Sequence, residues 1–132
     1  MKSKDEEKIQ TQICDFINLQ YPNVIFTSDA SGVYVGKYRA IIMSKQRSKH
    51  KIPDLLIFEP KGKYKGLFIE VKRSENDVFL KDGITFKKSD HIKEQYKTLQ
   101  LLDSKGYFAT FGFGFIHTVE VIKKYMNLWL KK

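Results

Sequence analysis

The sequence predicts an α/β fold in which a mixed β-sheet is flanked by helices. Two short apolar runs, Pro53-Asp54-Leu55-Leu56-Ile57-Phe58 and Leu67-Phe68-Ile69-Glu70-Val71-Lys72, read as strands bounded by Pro, Gly and Lys. Two amphipathic stretches, one ahead of these strands and one behind them, read as helices. The resulting order is helix, two or three strands, helix, strand, helix, which is a sheet packed between helical layers.

From about Lys4 to Gln20, Ile9, Ile13, Phe16 and Ile17 recur at helical spacing. Glu6 projects onto the edge of that stripe and Glu7 well away from it. Tyr21-Pro22-Asn23 ends the helix. Val24-Ile25-Phe26 is a short strand candidate, Ser28 to Gly32 a loop, and Tyr34 to Met43 either strand or irregular. Ser44 to Lys51 reads as a basic polar loop, and Glu59 to Gly66 as the hairpin connection between the two apolar runs. Lys81-Asp82-Gly83, between Val78-Phe79-Leu80 and Ile84-Thr85-Phe86, signals a second hairpin. Ser89 or Asp90 can cap a helix with Ile92, Tyr96, Leu99 and Leu102 on one face, Gln95 beside them, and Gly106 as its stop. Tyr107 to Phe115 reads as a strand interrupted by Gly112 and Gly114. Thr118 is the expected cap of a last helix running to Leu130.

The chain has 132 residues, and neither a repeat nor a linker divides it, so residues 1–132 are expected to form one domain. Hydrophobic content of 42% with 14% aromatic residues excludes a disordered chain. The formal net charge of +9 suggests a polyanionic partner, nucleic acid first, although a lysine-rich surface alone would give the same balance. Cys14 is the sole cysteine, which excludes an internal disulfide. The charged stretch Met1 to Glu7 does not read as a signal peptide, and no apolar run reaches membrane-spanning length, so a cytoplasmic location is expected.

Alternation along a strand places Phe68, Glu70 and Lys72 on one face and Leu67, Ile69 and Val71 on the other. A carboxylate and an ammonium thus sit side by side in a buried run, where charge is costly unless paired or bound to metal. Hydrolysis of a phosphodiester needs a divalent ion on the phosphate, an activated water and a stabilised leaving oxygen. Asp54 and Glu70 on neighbouring strands supply two carboxylates for a hard ion, and the main-chain carbonyl of Val71 a third oxygen. Lys72 is placed to act on the water or on developing negative charge. The bland alternative is a turn-starting Asp and an exposed i, i+2 ion pair, which poorly explains charge within Leu67–Val71. Lys45, Arg47, Lys49 and Lys51 precede the first strand and Arg73 follows the second; these are the candidate phosphate-backbone contacts. His50, His91 and His117 have no metal-ligand spacing. Tyr34, Tyr38 and Phe79 can stack on bases, pack a dimer or simply pack the fold.

Asp54, Glu70 and Lys72 together resemble the signature of the PD-(D/E)XK nuclease superfamily, and nearly the whole chain resembles a stand-alone VRR-NUC domain of that superfamily. Glu6-Glu7-Lys8-Ile9-Gln10 is similar to that family's first helix, which implies a metal-assisting role for Glu6. His91-Ile92-Lys93-Glu94-Gln95 is similar to the segment carrying its active-site glutamine, which implies Gln95. Gly106-Tyr107-Phe108-Ala109 and Gly114-Phe115 match the strand and turn that follow. The resemblance implies a restriction endonuclease-like fold, dependence on Mg²⁺ or Mn²⁺, endonuclease action on DNA (Holliday junctions or other branched forms), a homodimer, and a setting in phage replication or DNA repair within a bacterial or phage-infected host cell. Lys51 departs from the family's pattern, where Gly is common two residues before the Pro-Asp pair; this bears on the shape of the loop and not on the metal ligands. Two other readings remain open: a nuclease-fold module that binds nucleic acid without cutting it, and a sequence-specific restriction-type enzyme. A basic protein-interaction domain is a remote third.

Overall fold

The computed structural model describes residues 3–29 and 35–128. Helix α1 spans Lys4–Gln20. It begins where the Ser3 hydroxyl accepts the Glu6 amide at 3.2 Å, and Asp5, Glu6 and Glu7 favour the positive end of the helix dipole. Strand β1 (Phe26–Ser28) follows, then helix α2 (Lys37–Lys45), strand β2 (Leu55–Ile57) and strand β3 (Leu67–Lys72). A single 3-10 turn, Glu75–Asp77, precedes helix α3 (Asp90–Ser104), strand β4 (Phe108–Phe113) and helix α4 (Gly114–Met126).

The four strands lie in the order β1-β2-β3-β4. β1 and β2 are antiparallel, as are β2 and β3, whereas β4 runs parallel to β3. Parallel neighbours need a crossover, and α3 supplies it. The sheet is therefore mixed and has helices on both faces, as the sequence predicts. Beneath α1 and α4 lies the larger core, built from Ile13, Ile17, Leu55, Ile57, Leu67, Ile69, Val71, Ile122 and Tyr125. On the opposite face, Val78, Ile92, Leu99 and Phe111 form a smaller core under α3.

Three sequence expectations are corrected. Residues from Lys37 to Lys45 are helical, so of the stretch expected as strand or irregular only Val35 and Gly36 are irregular, Lys37 to Met43 are helix, and the basic loop begins after Lys45. Tyr34, Ala30 to Gly32 and Leu130 lie outside the described residues. The Asp82-Gly83 turn carries one isolated bridge, Phe79 to Phe86, in place of two paired strands. The Asp82 carboxylate takes the amides of Ile84 and Thr85, diverting them from a ladder. Thr118 caps nothing: α4 starts four residues earlier, at Gly114. The φ of +75° there lets strand turn straight into helix, and His117 Nδ1 accepts the Phe113 amide at 3.0 Å. Thr118 instead is fully buried against Gly112, where any side chain would collide with its hydroxyl and with Ile69.

Candidate active site

The register of β2 and β3 builds the site. The last ladder pair is Leu55 with Ile69; one step beyond it Asp54 comes level with Glu70. Residues directly opposite in an antiparallel pair share a face, so Asp54, Glu70 and Lys72 are brought to one surface at one end of the sheet. Asp54 Oδ2 accepts the Val71 amide at 2.9 Å, which locks the acid across the strand gap. Its main-chain carbonyl accepts two further donors, Gln10 Nε2 at 3.1 Å and the Asp29 amide at 2.7 Å. α1 and the end of β1 thus hold the start of β2 in place.

α3 closes the site from above. Its buried face carries Ile92, Gln95, Thr98 and Leu99, and Gln95 Nε2 donates to Glu70 Oε1 at 2.8 Å. Asp54, Glu70, Lys72 and Gln95 are each less than a tenth exposed, at 6%, 5%, 9% and 6%. Four polar side chains at that depth cost stability unless partnered. The solvated ion-pair alternative for Glu70 and Lys72 is therefore excluded by burial.

His91, one turn before Gln95, contacts the same amide group: its Nε2 lies 3.1 Å from Gln95 Nε2. Burial lowers the His91 pKa below its ordinary value, and the nearby Lys72 and Lys51 cations add to the effect. A neutral ring with its proton on Nδ1 is what accepting from Gln95 requires. The sequence alone suggests no role for His91; its i, i+4 spacing from Gln95 on α3 was the available signal.

These residues floor a cleft of about 700 Å³, whose wall includes Glu6, Met43, Arg47, Lys49, His50 and Lys51. Glu6 therefore reaches the cleft, as expected of it, but its Oε1 also accepts the Ser3 hydroxyl at 3.3 Å. Arg47 is held by Asp29 at 2.6 Å, and Lys51 lies 3.9 Å from Glu94 at the surface. Lys45 ends α2 and does not line the cleft. Arg73 lies outside it as well, in a fork on Asp77 with both contacts at 3.1 Å, beside the first turns of α1. Tyr38 is exposed on α2, and Phe79 packs on Phe86 and Phe113.

Among the described residues no three His, Cys, Asp or Glu side chains gather as a metal cage. The donor set is instead two adjacent carboxylates, with the Oε1 of Gln95 buried beside them and lacking a hydrogen-bond partner among the described residues. Such an oxygen-rich set suits a hard ion that keeps several waters, and does not suit zinc. No described helix is long and apolar enough to cross a membrane.

No protein-family model matches this chain, and no curated protein does. Among solved structures, a protein described as a VRR_NUC domain protein matches with a TM-score of 0.66 at 21% sequence identity, over 98% of this chain and 94% of that one. The chain has the fold of that VRR_NUC domain protein, a mixed four-stranded sheet between helices.

Proposed function

We propose that the protein is a metal-dependent endonuclease that hydrolyses DNA phosphodiester bonds and selects its substrate by structure, with branched DNA as the class. The observation that supports this most is the convergence of buried Asp54, Glu70 and Lys72 on the floor of a cleft with cationic walls. The fold it shares with a VRR_NUC domain protein adds to it. Mg²⁺ or Mn²⁺, held by Asp54, Glu70 and the Val71 carbonyl with Glu6 at the margin, would supply charge neutralisation on the phosphate and activation of water. Lys72, on the same strand face as Glu70, orients that water, accepts its proton or offsets charge on the phosphate oxygens. Gln95 fixes Glu70 in one orientation through their hydrogen bond, and His91 in turn orients the Gln95 amide. Lys49 and Lys51 hold the backbone of the substrate at the cleft wall. Contacts of that kind carry no base sequence, which is why selection falls on DNA shape; a homodimer would present two such clefts to one junction.

The test is cleavage of a labelled four-way junction and a matched linear duplex with Mg²⁺ or Mn²⁺, comparing wild type with Lys72→Ala. Metal-dependent cutting of the junction, abolished by the substitution, is the expected outcome. Tight binding without cutting under either ion would instead leave a binding module.

A further inference from the structure

The nine residues of α2 include no buried side chain. Isolated helices of that length are marginal in water, and this one has no packed face to compensate. Yet Ala40, Met43 and Ser44 line the catalytic cleft. The helix is fastened near its C-terminal end, where Arg47 pairs with the largely buried carboxylate of Asp29. The Asp29 amide in turn donates to the Asp54 carbonyl.

The charge of this segment is one-sided. Residues 30–53 contain Lys37, Arg39, Lys45, Arg47, Lys49 and Lys51 and no Asp or Glu, against a net charge of +9 for the whole chain. At about 100° per residue, Ala40, Met43 and Ser44 share one face of α2. Lys37 and Arg39 then flank that face, roughly 65° to one side and 95° to the other, while Lys45 points away. Both flanking residues are exposed, and neither side chain makes a hydrogen bond or ion pair among the described residues.

We propose that α2 is a phosphate-gripping arm. Lys37 and Arg39 hold the DNA backbone on either side of the cleft mouth, beyond the bond to be cut, and the Asp29–Arg47 pair sets the arm against the strand bearing Asp54. This rests on the nuclease reading of the cleft and adds two anchoring points to it. The occupant is a nucleic-acid backbone because Lys37 and Arg39 are exposed and residues 30–53 carry six cationic side chains and no acid. Tyr38 and Ile41, exposed at 77% and 49%, offer the competing occupant, a second copy of the chain.

The experiment is an anisotropy titration of a labelled four-way junction in EDTA across a series of KCl concentrations. The proteins are wild type, the double variant Lys37→Gln with Arg39→Gln, and a control of equal charge, Lys63→Gln with Lys65→Gln, in the hairpin at the other end of β3. Glutamine keeps helix propensity close to that of Lys and Arg. The arm variant is expected to bind several-fold more weakly. Its slope of log K against log salt should be shallower by about 1.8, at about 0.9 for each phosphate no longer neutralised. The control should keep the wild-type slope. Equal weakening in both variants, or none in either, would overturn the arm. So would an unchanged DNA affinity together with a change in sedimentation mass in Tyr38→Ala with Ile41→Ala, which would make α2 a self-interface. Cutting by the wild type with Mg²⁺ is scored separately: the slope change without cutting keeps the arm and removes the nuclease reading, and cutting without the slope change does the reverse.

Discussion

The two faces of β3 are equally buried and chemically opposite. Leu67, Ile69 and Val71 enter the apolar core beneath α1 and α4. Phe68, Glu70 and Lys72 face α3, with Phe68 stacked on Tyr107 at a ring separation of 4.7 Å and the two charged residues toward the cleft. All six residues are less than a tenth exposed. Depth alone therefore does not identify a core. What separates the faces is whether burial removes apolar surface from water or holds charge in a fixed setting at some cost. On the nuclease reading proposed above, one face serves stability and the other chemistry, and substitutions should divide them.

The largest effect is expected on the charged face. Lys72→Ala should slow junction cleavage by about a hundred- to ten-thousandfold, the usual contribution of a positioned proton-transfer group, with a denaturation midpoint close to wild type. If cleavage and stability fell together, the two faces would not be separable. Ile69→Ala tests the apolar face. A fully buried isoleucine cut to alanine costs about 2–5 kcal/mol, read by urea unfolding, while cleavage per folded molecule should hold near wild type. A smaller effect is expected at Gln95. Gln95→Leu removes the donor to Glu70 and should slow cleavage roughly ten- to hundredfold, the free-energy scale of one hydrogen bond to a charged group. The smallest concerns pH. Burial, then Lys72 and Lys51, hold His91 below its ordinary pKa of 6.5. The unfolded chain therefore takes up the proton first as pH falls, and the folded state loses stability from about 6.5 down to the lowered value. His91→Gln should flatten that part of the urea midpoint against pH between about 7.5 and 5.5; an unchanged profile would mean that His91 is not held neutral.

The two strands of the candidate site were legible because charge inside an apolar run breaks an otherwise simple pattern. Asp54, Glu70 and Lys72 stand out by residue type, and alternation assigns the face of the last two. Gln95 stood on the predicted stripe of its helix. α2 was illegible for the opposite reason: a helix that buries no side chain leaves no periodic apolar trace, and Ile41-Ile42 in sequence imitates a strand. The start of α4 was misplaced because a turn of zero length, made possible by Gly114, leaves no loop residues to mark it. The engagement of Arg47 by Asp29 and of Arg73 by Asp77 lies in tertiary and medium-range contacts that the order of basic residues along the chain does not reveal.

Asp54 also bears on the order in which the chain folds. Three separate segments converge on this one residue: Gln10, 44 positions upstream, Asp29 beside β1, and Val71, 17 positions downstream. Each contact closes a loop and loses chain entropy before the next can form. The acid is thus the meeting point of three closures, and its geometry is complete only when most of the sheet is. A nascent chain released before β3 would lack the Val71 amide and so carry Asp54 without its setting, which defers assembly of the candidate site until the fold is nearly finished.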